Sequence, residues 1–254
     1  MSPSSRATRR GRAARAGSAA PRPAWSLRHR LARLAVGQLL FGVALAMVLR
    51  ADLGASPWDV LHQGLALRTG WSFGLVLLVA GAVVLLCWVP LRVRPGVGTV
   101  ANVVLVAAAV ELGLRLLPAA TSAPAAAGLL IGGVALNALG TALYVGARLG
   151  PGPRDGLMTG LVARTGRPVA LVRGAIEGSV VLVGWLLGGT LGVGTLVFAL
   201  AIGPLVGLLL PRLAMPVPER AAPDPGRGSG ARPGPPVSDR RRPRRGRPRP
   251  RAAA

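Results

Sequence analysis

The chain has no lysine, one cysteine and two histidines. Each shortage closes off a class of chemistry. Cys87 stands alone, so neither an intrachain disulfide nor a cysteine metal site can form. Its place in an apolar run suits a small apolar filler. His29 and His62 are isolated and make no zinc-binding pair; His62 is expected to be solvated or capping. No glycine-rich phosphate loop and no serine nucleophile motif is present. The expectation is a protein that is not an enzyme and needs no metal or cofactor. Charge is scarce as well. Charged residues make up 15% of the chain against 51% hydrophobic, whereas a soluble domain carries about 25% charged residues.

What is present is a series of long apolar blocks. About 20 apolar residues rise roughly 30 Å as a helix, the thickness of a bilayer's hydrocarbon core. The blocks lack the polar/apolar alternation of barrel strands. Spans are predicted at 31–49, 72–90, 97–117, 125–146, 169–188 and 193–210. The first resembles a signal peptide in following a basic region, but it is too long and no small-residue cleavage site follows it. The lipid bilayer is thus the first partner.

All 31 basic residues are arginine, and the net charge of +23 belongs to the ends. Nine arginines precede Leu34, twelve follow Pro211, and ten remain for the body between. The chain divides into a basic tail 1–30, a membrane body 31–211 and an Arg/Pro-rich tail 212–254. Segments 1–24 and 216–254 cannot bury enough apolar surface to offset chain entropy and are expected to be disordered. Their arginines suit topology determination first and contact with anionic lipid second; no specific nucleic-acid binding is expected. Arg92, Arg94, Arg148, Arg154, Arg164 and Arg167 fall on the same side as the tails, which makes that side the cytoplasm of a bacterial inner membrane.

The body is an internal repeat. A shift of 96 residues lays Leu53–Gly70 on Leu149–Gly166 with ten identities in eighteen positions. Among the matched pairs are Pro57 and Pro153, Asp59 and Asp155, Arg68 and Arg164, and Gly70 and Gly166. Gly96-Val97-Gly98-Thr99 falls on Gly192-Val193-Gly194-Thr195. The two copies cover about 34–117 and 125–211. Each holds three spans, an odd number, so the second copy is expected upside down relative to the first. The repeated motif reads as a short helix: Ser56 as N-cap, Pro57 at the first position, Asp59 in the first turn and Gly70 as stop. At about 12 residues it is too short to span. It is either interfacial or re-entrant, and in the second case Asp59, Asp155, Pro57, Pro153 and Arg154 flank a solute path as paired gates.

The runs Arg50–Asp59 and Gly146–Gly160 resemble the YczE/YitT-like bacterial integral membrane proteins over about residues 34–211. The resemblance implies a multi-spanning cell-membrane protein. It implies no biochemical activity.

Glu111, Arg173 and Glu177 fall inside spans, where an isolated charge costs about 2.5–3.5 kcal/mol. Glu111 precedes Arg115 by four residues, and Arg173 precedes Glu177 by four, so each pair shares one helix face. They are either ion pairs that ease insertion or a proton or cation relay. Asn137, Thr141 and Tyr144 line one face of the fourth span, which suits interhelical hydrogen bonding. The pattern predicts an all-α polytopic bundle that moves or binds an unknown small molecule; the alternative is an accessory protein that stabilises a partner complex. One outcome is already fixed by the arginines. A reporter active only in the periplasm, fused to the C-terminus, will be silent, and the same reporter placed near Ser122 will be active.

Overall fold

The computed structural model describes residues 25–215; segments 1–24 and 216–254, and with them the expected disorder, lie outside the described residues. Eight helices follow in order: α1 Leu27–Ala51, α2 Pro57–Thr69, α3 Phe73–Leu91, α4 Val97–Leu116, α5 Ala123–Gly146, α6 Pro153–Thr165, α7 Val169–Leu186 and α8 Val193–Leu213. Among the described residues there is no strand. Six helices, all but α2 and α6, are long and apolar enough to cross a membrane. The protein is an all-α polytopic bundle. The six long helices match the expected spans within a few residues. The largest difference is at the start of α1, which begins at Leu27 because Arg28, Arg30 and Arg33 continue the helix below its apolar part.

The sequence repeat reappears in the backbone. Every left-handed residue among the described ones has a counterpart 96 positions away: Asp52 and Arg148, Gly54 and Gly150, Gly70 and Gly166, Arg92 and Gly188. Asp52 and Arg148 end the long helices α1 and α5 and turn the chain toward the short ones. Gly54 and Gly150 have φ of 107° and 139°, which only glycine adopts readily. A side chain at either would also strike Thr195 Oγ1 or Thr99 Oγ1. Gly70 and Gly166 then stop α2 and α6, and each donates its N–H four residues back, to Ala66 and Val162.

The halves are stitched crosswise. The Gly98 N–H at the start of α4 donates to Leu149 O at 2.9 Å, and the Gly194 N–H at the start of α8 donates to Leu53 O at 2.7 Å. These bonds are equivalent under the 96-residue shift. Each short helix likewise packs on a long helix of the other half, α2 on α7 and α6 on α3. In one of these contacts the Trp88 ring fills the space above Gly156, and Trp88 Nε1–H donates to Pro153 O at 3.0 Å. In the other, Gly184 lies against the backbone of Val60 and Leu61. The shift places Gly184 on Trp88 and Gly156 on Val60, so both contacts pair a bulky residue of the first half with a glycine of the second. Between the halves α1 lies along α5, with Gly37, Gly133 and Gly140 allowing their backbones to approach.

Arginine closes the helix ends. The last carbonyls of a helix lack partners within it and are costly to leave bare in a membrane. Arg30 donates to Ala147 O at the end of α5, at 3.0 Å, and Arg33 to Leu213 O at the end of α8, at 2.5 Å. Arg50 serves Leu114 O on α4, Arg164 serves Pro90 O on α3, and Arg68 reaches Leu187 O after α7 at 3.3 Å. The last two are again a repeat pair. The Trp88 contact leaves no slack: Gly156→Ala will destabilise the protein by about 1–3 kcal/mol through overpacking. Trp88→Leu in the same chain will return part of that loss, read as melting temperature in detergent.

Candidate functional site

All eight helices contribute to one cavity of about 570 Å³. The repeat accounts for its position. Phe41, Ser56, Pro57, Trp58, His62, Leu77, Ala80, Gly81, Asn102 and Val106 line it from the first half. Their counterparts 96 residues on are Asn137, Gly152, Pro153, Arg154, Met158, Arg173, Ile176, Glu177, Phe198 and Ile202, and all of them line it too. The cavity therefore lies on the seam between the copies, with the N-terminal turns of α2 and α6 both facing it.

Its symmetry is one of position and not of chemistry. Phe41, Trp58, Leu77 and Gly81 become Asn137, Arg154, Arg173 and Glu177. In the reverse direction His62 and Asn102 become Met158 and Phe198. The charge lies on the second half. The 96-residue shift sets Glu177 against Gly81 in the sequence; the same comparison extended to Arg173 and Asn137, which replace Leu77 and Phe41, is the signal that joins the three.

The two motif carboxylates have opposite surroundings. Asp59 is 1% exposed. Ser56 Oγ–H donates to its Oδ2, His62 Nδ1 lies 3.3 Å from Oδ1, and Arg154 Nη2 lies 3.8 Å from Oδ1. Ser56 occupies the N-cap position, yet its side chain serves the carboxylate and makes no cap bond to the backbone. Burial alone would raise the Asp59 carboxyl; the His62 hydrogen bond, the Arg154 guanidinium and the Ser56 hydroxyl outweigh it and hold it below its usual range. Burial pushes the His62 imidazole down, which keeps it neutral beside its carboxylate partner. His62 is thus not solvated as expected: at 2% exposure it is walled in by Trp58 and Phe73, because α2 turns this face toward the bundle. The Arg154 guanidinium sits 4.9 Å from the centre of the Trp58 ring, bringing together repeat positions 58 and 154.

Asp155 keeps only the field of Arg154 from that shell, joined by Arg173 and the Gly152 backbone. Its local partners are Gly152 in place of Ser56 and Met158 in place of His62. It is exposed within the cavity and has no ion pair within 4.0 Å among the described residues. The space left by the missing Gly152 side chain is bordered by Asp155 Oδ2 and Tyr144 Oη. Across the cavity Asn137 is 1% exposed and its Nδ2 has no hydrogen-bond partner. Arg173 and Glu177 are joined at 2.9 Å. Glu111 is elsewhere: it pairs with Arg115 at 3.1 Å, accepts the Gly74 N–H at 3.1 Å and does not line the cavity. Cys87 is exposed on the outer side of α3 and packs into no core.

The family described as "Family of unknown function (DUF6198)" matches residues 28–211. An uncharacterized protein of Haemophilus influenzae is 37% identical over 171 residues, covering 67% of this chain and 78% of its own. An uncharacterized membrane protein of Bacillus subtilis named YczE is 33% identical over 175 residues, covering 68% of this chain and 81% of its own. No solved structure matches the chain.

The unlike shells predict unlike mutants. Asp59→Asn removes the charge that balances Arg154 and will cost about 1–3 kcal/mol of stability. Asp155→Asn will cost about 0.5 kcal/mol or less, the share of a first-turn acid at a helix N-terminus. Chemical or thermal unfolding of the two variants in detergent reads the difference directly.

Proposed function

The chain belongs to the DUF6198 family, whose function is unassigned, and we propose that it is a small-solute transporter or permease of the bacterial inner membrane. The observation that carries this reading is the cavity on the seam between the repeats, lined by equivalent positions from both. Transporters built from inverted repeats hold their solute at that seam and expose it alternately to either side. In this reading the two three-span halves have opposite orientation, and α2 and α6 are re-entrant helices whose N-terminal turns flank the solute. Both termini are cytoplasmic.

Packing supplies a second support. α3 packs along α4, whereas their counterparts α7 and α8 do not pack along one another. Gly203 and Gly207 on α8 and Gly174 and Gly178 on α7 meet open space. Two like halves in unlike packing are what one end state of an alternating pair requires; exchanging the two packings between halves would give the other. The accessory-protein reading calls for a dry, closed bundle, which a 570 Å³ cavity with two ion-paired arginines argues against. Arg154 and Arg173 are tied to Asp59 and Glu177, Asp155 alone among the described charged residues of the cavity lacks an ion pair, and the proposal assigns the protein no catalysis.

Single cysteines at Thr141 and Ile202, introduced with Cys87→Ala, test alternation without a known substrate. A membrane-impermeant thiol reagent will label each site when applied from either face of inverted or right-side-out vesicles. Labelling from one face alone would leave a binding vestibule without transport, and labelling from neither would remove the solute path.

A further inference from the structure

We propose that the cavity binds an organic cation, an amine on an apolar body, and that the Asp155 carboxylate is its counter-charge. The inference rests on reading the cavity as a solute site and adds the class of solute.

The charges facing the cavity from every helix settle its sign. α6 brings Arg154 and Asp155, and α7 brings Arg173 and Glu177. Behind the wall, Asp59 of α2 answers Arg154. Glu177 answers Arg173. His62 is neutral, and α1, α3, α4, α5 and α8 present no charged side chain to the cavity. One negative charge remains, on Asp155. A carboxylate that faces the cavity without an ion pair is free to take a charge-assisted hydrogen bond from a bound cation. An anion would meet Asp155 and Glu177 with no unpaired positive group to receive it.

The repeat makes the vacancy specific. At Asp59 the same motif position is sealed by Ser56, His62 and Arg154. At Asp155 the sealing residues are Gly152 and Met158, and the position aligned with Trp58 holds Arg154, whose charge is turned to Asp59. The second copy therefore has the carboxylate without the serine and histidine that seal the first, opening on the cavity. One further group lies there: Tyr144 Oη, above Gly152 beside the Asp155 carboxylate. Asn102 and Thr141 add polar positions, and much of the remaining wall is apolar, with Phe41, Leu77, Met158 and Phe198 among it. A small inorganic cation would leave that apolar wall bare, whereas an amine on an aromatic or aliphatic body fills it and meets aromatic faces as well.

The test uses the full-length protein in detergent with three probes of one shape: benzylamine, benzyl alcohol and benzoate. Benzylamine should stabilise the wild type saturably against heat, with the other two well behind. Asp155→Asn should weaken benzylamine binding about tenfold or more, the loss of a hydrogen bond to a charged group. Asp155→Glu should keep most of the binding, and Glu111→Gln, outside the cavity, should keep all of it. Gly152→Ser supplies a second, independent reading: restoring the hydroxyl of the first copy should seal Asp155 and weaken the amine alone. Equal stabilisation by benzyl alcohol, preference for benzoate, or undiminished binding by Asp155→Asn would overturn the proposal while leaving transport open. Asp155-dependent amine binding without two-sided cysteine labelling would keep the cation site and remove transport.

Discussion

Each short helix is held by the half of the chain to which it does not belong. α2 leaves the end of α1 and packs on α7, and α6 leaves the end of α5 and packs on α3. The turns that aim them are pinned across the seam by the Gly98–Leu149 and Gly194–Leu53 bonds. Without that exchange the N-terminal turns of α2 and α6 would have no reason to face one another. The cavity, the Arg154–Asp59 pair and the Arg154–Trp58 contact all follow from it, because each joins one half to the other.

Helix ends inside a membrane impose the second constraint. Six long apolar helices leave many terminal carbonyls that lipid cannot satisfy. The body answers with the cation at hand, arginine, whose planar fork reaches across to a neighbouring helix end. Arg30, Arg33, Arg50, Arg68 and Arg164 each close a different span. In the sequence Arg30, Arg33 and Arg164 count as orientation signals, and Arg50 and Arg68 as the few arginines of the opposite side. In three dimensions they are also the fastenings between spans.

The 96-residue repeat accounts for both the likeness and the contrast of the two halves. A repeated fold supplies equivalent wall positions to one central space. Divergence at those positions then costs little in the helices and changes only the space. Large residues in the first copy and glycines in the second let Trp88 and Val60 enter where a strictly symmetric pair would collide. The same divergence leaves Asp59 enclosed and Asp155 open.

The number of spans, their limits and the repeat were legible in the sequence, since apolar length and a fixed 96-residue identity are local or one-dimensional signals. The proline-started, glycine-stopped motif helices were legible for the same reason: caps act on their own turn. The roles of single residues were not. Asp59 and Asp155 are identical in motif position, and only the neighbours brought by distant helices separate a sealed acid from an open one. His62 appeared isolated because its partners, Asp59 on the same short helix and Phe73 on the next, close round it only once α2 turns inward. Asn137 and Glu177 lie on different helices of one copy, and nothing in their spacing says that they share a wall. Sequence determined which segments cross and which break, because lipid reads composition along the chain; tertiary structure decided which charges are answered, because pairing depends on distances that only packing sets.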